Sequence, residues 1–145
     1  MIKIKTYKTG TIDNDALTYA VICAKYKEKW VFGMHEDRST WEVPGGHRES
    51  GELIDDAAKR ELFEETGAVE FELSPICDYS VTRQNETGYG RLYFADIKKL
   101  GNLPDLEIKK IAFFETLPEN LTYPKIQPAL LEIVKNKISR RTKNK

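Results

Sequence analysis

The stretch Gly46–Gly67, with the sequence GHRESGELIDDAAKRELFEETG, decides the fold and the chemistry of this chain. Seven of its positions combine two glycines, one arginine and four glutamates at defined intervals, namely Gly46, Glu52, Arg60, Glu61, Glu64, Glu65 and Gly67. With the residue frequencies of this chain, these identities at these spacings would arise by chance on the order of 10⁻⁶ times per chain. Ordinary composition therefore does not explain the pattern.

The second half of this stretch predicts a helix over about residues 53–66. Its alanines, leucine and glutamates are good helix formers, and Gly67 is a typical stop signal just past the last turn. Residues three and four apart share a helix face, so Glu61, Glu64 and Glu65 fall within one arc of about 100°. The pattern therefore predicts three carboxylates on one side of the helix.

Three like charges on one helix face repel one another, by a few tenths of a kcal/mol per pair on an exposed helix. Arg60 precedes Glu64 by four residues and can pair with it, but one arginine cannot neutralise three carboxylates. A hard divalent cation can, because carboxylate, water and phosphate oxygens are the ligands that Mg²⁺ prefers. A solvated acidic face is the alternative, and the spacing with the glycines and the arginine favours a metal site.

A second signal lies just upstream, in Trp41-Glu42-Val43-Pro44-Gly45-Gly46. The proline ends a strand, and the two glycines let the backbone approach a ligand closely. The carbonyl of Gly45 can then join the carboxylates as a neutral oxygen ligand. A tight turn without a ligand is the alternative for such a pair of glycines.

These residues resemble the box of the Nudix (MutT-like) hydrolases, which cleave nucleoside diphosphates linked to another group. The resemblance implies Mg²⁺ as the cofactor, with Mn²⁺ as an alternative. It also implies that Glu64, Glu65 and the Gly45 carbonyl are metal ligands. Glu61 is implied as a further ligand that assists the base, Arg60 as the residue that orients the carboxylates, and Glu52 as a support for the loop and helix.

The residue that accepts the proton from the attacking water is less defined, because in this family it is a box glutamate in some members and an acid in a distant loop in others. Glu107 and Glu115 are the loop candidates here. Glu107 fits better, since it follows Pro104-Asp105 and directly precedes the apolar run at residues 108–114. An ordinary exposed loop glutamate is the alternative for Glu107.

The composition limits the other classes of function. The chain has 145 residues, with 23 basic and 23 acidic side chains and no net charge. We expect one domain, residues 1–145. With no net charge, it should not produce a strong electrostatic field that attracts nucleic acid or membranes. It has neither a membrane-spanning apolar run nor a secretory signal at the start. We therefore expect a cytoplasmic protein with no membrane partner, and a homodimer is a reasonable prior.

Hydrophobic periodicity predicts strands on both sides of the helix. Extended segments are expected at residues 2–5, 17–24, 30–34, 41–43, 69–73, 76–82, 91–97 and 108–114. The polar, glycine-containing segment 84–90 is expected to be a mobile loop. A closing helix is predicted at 125–139, followed by a solvated, frayed basic end up to Lys145. These elements predict an α/β fold, a Nudix-type α/β/α sandwich with a mixed sheet.

The motif does not define the substrate, so the base pocket has to be sought elsewhere. Such a pocket needs an aromatic wall and a few polar groups, and the candidates are Phe32, Met34, Tyr79, Tyr93 and residues 121–127. MutT-like enzymes that hydrolyse oxidised dGTP contact the base with an asparagine near the start of the closing helix. Gln127 stands near that place and carries the same donor and acceptor groups.

The segment Lys29–Glu42 also resembles bacterial Nudix proteins of the 8-oxo-dGTP diphosphatase type that act on RNA 5′ ends as well. Arg38 or Arg83 can meet a phosphate group, with a surface ion pair as the alternative. We expect a nucleoside triphosphate, oxidised or not, to give the monophosphate and pyrophosphate. The alternatives are an RNA 5′-end pyrophosphohydrolase and a non-catalytic Nudix-fold nucleotide sensor.

Overall fold

The computed structural model describes residues 1–143 of the chain. In that part the strands and helices are β1 (Ile2–Tyr7), β2 (Tyr19–Tyr26), β3 (Lys29–His35), β4 (Trp41–Glu42), β5 (Gly45–His47), α1 (Ile54–Thr66), β6 (Ala68–Arg83), β7 (Glu86–Leu100), β8 (Ile108–Phe114) and α2 (Gln127–Lys143). A short 3₁₀ turn, Asn14–Ala16, precedes β2. Neither helix is long and apolar enough to cross a membrane.

The strands form one sheet in the order β1-β6-β7-β2-β3-β4, with β5 added beside β2 and β8 beside β3. β2 and β7 run parallel, while the other paired strands run antiparallel. The predicted mixed sheet is therefore confirmed. β5 brings the two glycines next to the start of β2, where Val21 faces Gly45 and Ala20 faces Gly46.

The two helices cover opposite faces of this sheet. Successive strand residues point to opposite faces, so Ile22 belongs to one core cluster and Cys23 to the other. The first cluster contains the buried side of α1, namely Ile54, Ala57, Ala58 and Leu62. The second contains the buried side of α2, namely Leu130, Leu131 and Val134. The predicted α/β/α sandwich is confirmed, and Cys23 is a buried free thiol in the second cluster.

The helix that carries the glutamates ends at a position where glycine is required. Gly67 has φ +80° and donates its amide to the carbonyl of Phe63. A Cβ atom at Gly67 would also lie 2.8 Å from the carbonyl oxygen of Asn102. The stop signal in the sequence therefore terminates α1 at Thr66, as predicted. The helix starts at Ile54, one residue after the predicted start.

The prediction of a mobile loop at residues 84–90 is wrong. Only Gln84 and Asn85 lie outside β6 and β7, and both have positive φ, +47° and +67°. Two such residues form the tight hairpin turn whose twist matches the strands, and a glycine usually marks it in the sequence. Gly90 is required for packing instead, because a Cβ there would lie 2.5 Å from the hydroxyl of Tyr79.

Other boundaries also differ from the prediction by a few residues, and two of these differences change the description of whole elements. The segments at 69–73 and 76–82 belong to one strand, β6, whose register shifts between Pro75 and Cys77 because proline has no amide to donate. The closing helix starts two residues later than predicted and continues to Lys143, so the backbone of the basic segment is helical up to that point. Lys145 lies outside the described residues.

An internal ion pair that the sequence did not indicate ties the sheet to the loop after β1. Asp78 is fully buried and accepts hydrogen bonds from Arg91 Nε at 2.6 Å and from the amides of Gly10 and Ile12 at 3.1 and 3.0 Å. A buried carboxylate needs such partners, because removal from water is costly. Asp78 therefore anchors residues 10–12 against the sheet.

We expect Asp78→Ala to lower the free energy of unfolding by about 3 kcal/mol or more, because it leaves Arg91 and two amides without their partner. Urea unfolding measures the change. Asp96→Ala, in the exposed pair with Lys98 on the same sheet, is the control and should change it by less than about 1 kcal/mol. A similar, small loss in both variants would contradict the assignment of Asp78 as an anchor.

Candidate active site

The three box glutamates share one face of α1, as the spacing predicts. Glu65 is buried, and Glu61 and Glu64 are partly buried. All three border a cavity of about 290 Å³, hereafter the glutamate cavity, together with Arg60 and Glu107. The structure thus brings Arg60 and the three box glutamates to one cavity with Glu107.

The two glycines of β5 allow the backbone to lie directly against these carboxylates. The amide of Gly45 donates to Glu65 Oε1 at 2.9 Å. A Cβ at Gly46 would lie 2.5 Å from Glu61 Oε1, so a larger residue would displace that carboxylate. The two glycines therefore allow a close approach to the backbone, as predicted, and the groups that lie against them are the protein's own glutamates.

Arg60 is the cationic centre of the cluster. It donates two hydrogen bonds to the carboxylate of Glu52, from Nε at 2.8 Å and from Nη2 at 2.9 Å. It also donates to Glu61 at 2.7 Å and to the backbone carbonyl of His47 at 3.0 Å. The predicted contact with Glu64 is present but longer, at 3.5 Å. Arg60 therefore connects the loop to the helix and orients Glu61 more directly than Glu64.

Burial and neighbouring charges shift the pKa values of these acids in opposite directions. Burial, together with the nearby charges of Glu61, Glu42 and Glu107, raises the pKa of Glu65 to about 8, against the effect of the hydrogen bond from Gly45. Burial also raises the pKa of Glu61, against the effect of Arg60. The hydrogen bonds from Arg60 lower the pKa of Glu52 to about 2. In the side chains nearest the glycines, burial therefore disfavours the charged form of the carboxyl group, and the hydrogen bonds from the protein do not fully offset this effect.

The structure separates the two loop candidates for the general base. Glu107 lies 3.5 Å from His35 Nε2, and its backbone carbonyl accepts a hydrogen bond from the amide of Glu36. Glu115 follows the other end of β8, at Phe114, and a strand of seven residues is about 20 Å long. Only Glu107 of this pair borders the glutamate cavity.

A larger cavity, hereafter the groove, adjoins the glutamate cavity. It has a volume of about 1060 Å³, and its lining includes Tyr79, Tyr123, Gln127 and both candidate phosphate contacts, Arg38 and Arg83. The two cavities share His47, Glu65 and Glu107. The other aromatic candidates are absent from the lining: Phe32 and Tyr93 are fully buried in the two core clusters, and Met34 is buried.

Two features of the groove were not predicted. The rings of Tyr19 and His47 pack against each other with centroids 4.7 Å apart, and both line the groove. The pairing of β2 with β5 produces this contact, and no sequence signal marked it. Among the described residues, Gln127 Oε1 is the buried side-chain oxygen without a hydrogen-bond partner. A buried acceptor without a partner is rare in proteins, so this oxygen is a candidate contact for a bound molecule.

The donor set is suited to a hard divalent cation, since the carboxylates of three glutamates meet one cavity. As they stand within residues 1–143, no three acidic, histidine or cysteine side chains converge on one point at metal-ligand distance. The residues therefore fit such an ion by chemistry and location, while their present rotamers are held by Arg60 and the Gly45 amide.

We expect the two glycines to differ in their tolerance of alanine. In Gly45→Ala the added Cβ meets the backbone oxygen of Ala20 at 2.5 Å, and the free energy of unfolding should fall by about 2 kcal/mol. In Gly46→Ala the added Cβ meets the mobile end of Glu61, which can rotate away, so the loss should be under about 1 kcal/mol. Urea unfolding of both variants distinguishes them, and equal losses would contradict this geometry.

Comparisons with known proteins agree with this architecture. The model of the NUDIX domain family matches residues 17–134. The chain is 34% identical over 131 residues to the putative 8-oxo-dGTP diphosphatase YtkD of Bacillus subtilis, covering 84% of this chain and 82% of that protein.

Solved structures give the same result. The pyrophosphohydrolase BsRppH of Bacillus subtilis superposes with a TM-score of 0.76 at 30% identity, covering 93% of this chain and 90% of that one. A NUDIX hydrolase from Nitrosomonas europaea shares the fold, with a TM-score of 0.68 at 19% identity over 83% of this chain and 89% of that one. The chain therefore belongs to the NUDIX domain family and is a hydrolase that acts on phosphoanhydride bonds.

Proposed function

We propose that this protein hydrolyses a nucleoside triphosphate, including the oxidised form of dGTP, to the monophosphate and pyrophosphate. The observation that carries the proposal is the connection between the groove and the glutamate cavity through His47, Glu65 and Glu107. A nucleoside in the groove would present its phosphates to the carboxylates. The similarity to a protein named as a putative 8-oxo-dGTP diphosphatase supports this class of substrate, and we propose the cytoplasm as its location.

Glu61, Glu64, Glu65 and the carbonyl of Gly45 are the groups that would hold Mg²⁺, or Mn²⁺ in its place. An ion held there would supply neutralisation of phosphate charge and activation of a water molecule. Arg60 keeps Glu61 oriented through the 2.7 Å hydrogen bond. Its contact with Glu52 holds the loop before α1 at a constant distance from these ligands.

For the proton of the attacking water we propose Glu107 as the acceptor, with Glu61 as the competing candidate. Glu107 is an exposed carboxylate at the edge of the glutamate cavity, and its backbone contact with Glu36 fixes the position of its loop. A carboxylate in such a position takes a proton when a water lies within hydrogen-bond distance.

We propose Gln127 as the contact to the base. Its Oε1 atom is buried and has no partner, so a ring N–H or an exocyclic amine of a base in the groove would satisfy it. Tyr123 lines the same end of the groove, and the guanidinium of Arg38 lies 6.0 Å from its ring. This end therefore offers an aromatic surface, a cation and an unsatisfied acceptor to a nucleotide.

An RNA 5′ end is the second candidate substrate, because the groove is longer than one nucleoside. Its lining extends from Ile2 on β1 through β6, β7 and β2 to Gly45 on β5. Four spacings between neighbouring strands amount to about 19 Å. Arg83 borders the far part of the groove, beside Thr87 and Gly88 of β7, and can meet a second phosphate.

A hydrolysis panel tests the proposal, with dGTP, 8-oxo-dGTP, other nucleoside triphosphates, ADP-ribose, a dinucleoside tetraphosphate and a 5′-triphosphate RNA as substrates. Each is assayed with Mg²⁺ and with Mn²⁺, and products are resolved by chromatography. Release of pyrophosphate from a triphosphate supports the proposal. Preference for the RNA supports the second candidate, and no turnover of any substrate with either ion favours the nucleotide sensor.

For the preferred substrate, we expect Glu64→Gln and Glu65→Gln to lower kcat by about 100-fold or more at saturating Mg²⁺, since each loses a charge that faces the phosphates. Asp56→Asn removes a charge from an exposed position on the same helix and is the matched control. Urea unfolding verifies that the variants are folded. Full turnover by either glutamine variant would show that its glutamate is not a metal ligand.

We expect Gln127→Leu to keep the size of the side chain and remove the unsatisfied acceptor. The ratio of kcat/KM between the preferred base and the other bases should then fall by about tenfold, which corresponds to one lost hydrogen bond. Turnover of all bases should persist, because the phosphates and the carboxylates are unchanged. An unaltered ratio would exclude Gln127 as the contact that selects the base.

A further inference from the structure

The helix that carries the glutamates does not cap its own beginning. Leu53 stands at the N-cap of α1, and its side chain has no oxygen that could accept a hydrogen bond from the first turn. The amide of Ile54 donates instead to Asn14 Oδ1, at 2.8 Å. The Nδ2 group of the same side chain donates to the backbone carbonyl of Glu52 at 3.1 Å. Asn14, 40 residues earlier in the chain, thus binds the last turn of the loop and the first residue of the helix.

Arg48 strengthens the same junction from within the loop. Its Nη1 donates to the carbonyl of Glu52 at 3.2 Å. Its Nε and Nη2 donate to the carbonyls of Leu17 at 2.9 Å and Asp15 at 3.2 Å. Hydrogen bonds therefore run both ways between these segments. Asn14 donates to the loop before α1, and Arg48 of that loop donates to the segment around Asn14.

The same junction leads directly to the box carboxylates. The side chain of Glu52, whose backbone Asn14 holds, accepts two hydrogen bonds from Arg60. Arg60 in turn donates to Glu61 at 2.7 Å. Each contact in this series is a direct hydrogen bond, so a shift of the Glu52 backbone is transmitted to the Glu61 carboxylate.

We infer that Asn14 is a positioning residue for the reaction proposed above, acting on Glu61 through Glu52 and Arg60. The inference rests on the proposed function, because it assigns Glu61 to the reacting site. Asn14 fixes where α1 starts relative to β5, whose glycines contact Glu61 and Glu65. Carboxylates that serve phosphoryl chemistry have to be held within a fraction of an ångström, since small misplacements far from the reacting atoms lower the rate strongly.

Two variants separate the two hydrogen bonds of this side chain. Asn14→Ala removes both. Asn14→Asp keeps the acceptor for the Ile54 amide and loses the donor to the Glu52 carbonyl. A cap that served stability alone would be restored by the aspartate, because aspartate and asparagine cap helices about equally well. Ile76→Val, in the core on the opposite face of the sheet, is a control with a comparable loss of stability.

The first measurement is independent of activity. Proton exchange of the Ile54 amide and of the Arg60 Nε–H group is followed by NMR in the protein without ligand. In Asn14→Ala both should exchange faster, and in Asn14→Asp only the Arg60 group should. The inference would be overturned if exchange at Arg60 were unchanged in both variants while Asn14→Ala accelerated exchange at Ile54. This outcome does not depend on the substrate.

The second measurement uses the substrate identified by the panel. For Asn14→Ala and Asn14→Asp, kcat should fall about tenfold while KM changes less than about twofold. Ile76→Val should retain the wild-type kcat. In a Glu52→Ala background, which keeps the carbonyl but cuts the connection to Arg60, Asn14→Ala should cause no further loss of kcat. Independent, additive losses would overturn the inference, whereas failure of the wild-type protein to turn over any substrate would contradict only the proposed function.

Discussion

The architecture depends on the contact between the acidic face of α1 and the backbone of β5. Glu65 accepts the amide of Gly45, and Glu61 occupies the space that a side chain at Gly46 would need. This contact places carboxylates against a strand edge in a partly buried position, where water compensates their charge poorly. The cation required to balance them is then either Arg60, which reaches only part of the cluster, or an ion bound in the glutamate cavity.

The rest of the fold holds the two partners of this contact at the correct distance. α1 packs closely on the sheet because Ala57 and Ala58 on its buried side are small. Its end is set by the positive φ of Gly67, and its start by Asn14. β5 is held by β2, which the parallel pairing with β7 places near the centre of the sheet. The end of the helix is therefore set by the glycine that directly follows it, and its start by a residue distant in sequence.

The sequence allowed the local parts to be predicted and not the contacts between distant segments. The spacing of the box indicated the helix and its acidic face, because helical periodicity is a local property. The turn at Gln84-Asn85 was missed since neither residue is the glycine that usually marks it. The roles of Asn14 and Asp78 depend on partners 13 to 68 residues away in the chain, and a single sequence contains no signal for such pairings. Glu107 was identified only through the resemblance to a family.

The polar groups that the fold leaves unsatisfied point to a ligand more directly than the cavities do. Asp78 and Thr66 are buried and hydrogen-bonded, as stability requires. Glu65 accepts a hydrogen bond from the Gly45 amide but still has a pKa raised by burial, and Gln127 Oε1 has no partner. Both side chains line the groove. A fold selected for stability alone would replace or pair these two groups, so their persistence in one connected space argues that a ligand with a cationic end and a hydrogen-bond donor completes them. A metal-bound triphosphate with a base that donates a hydrogen bond has both properties.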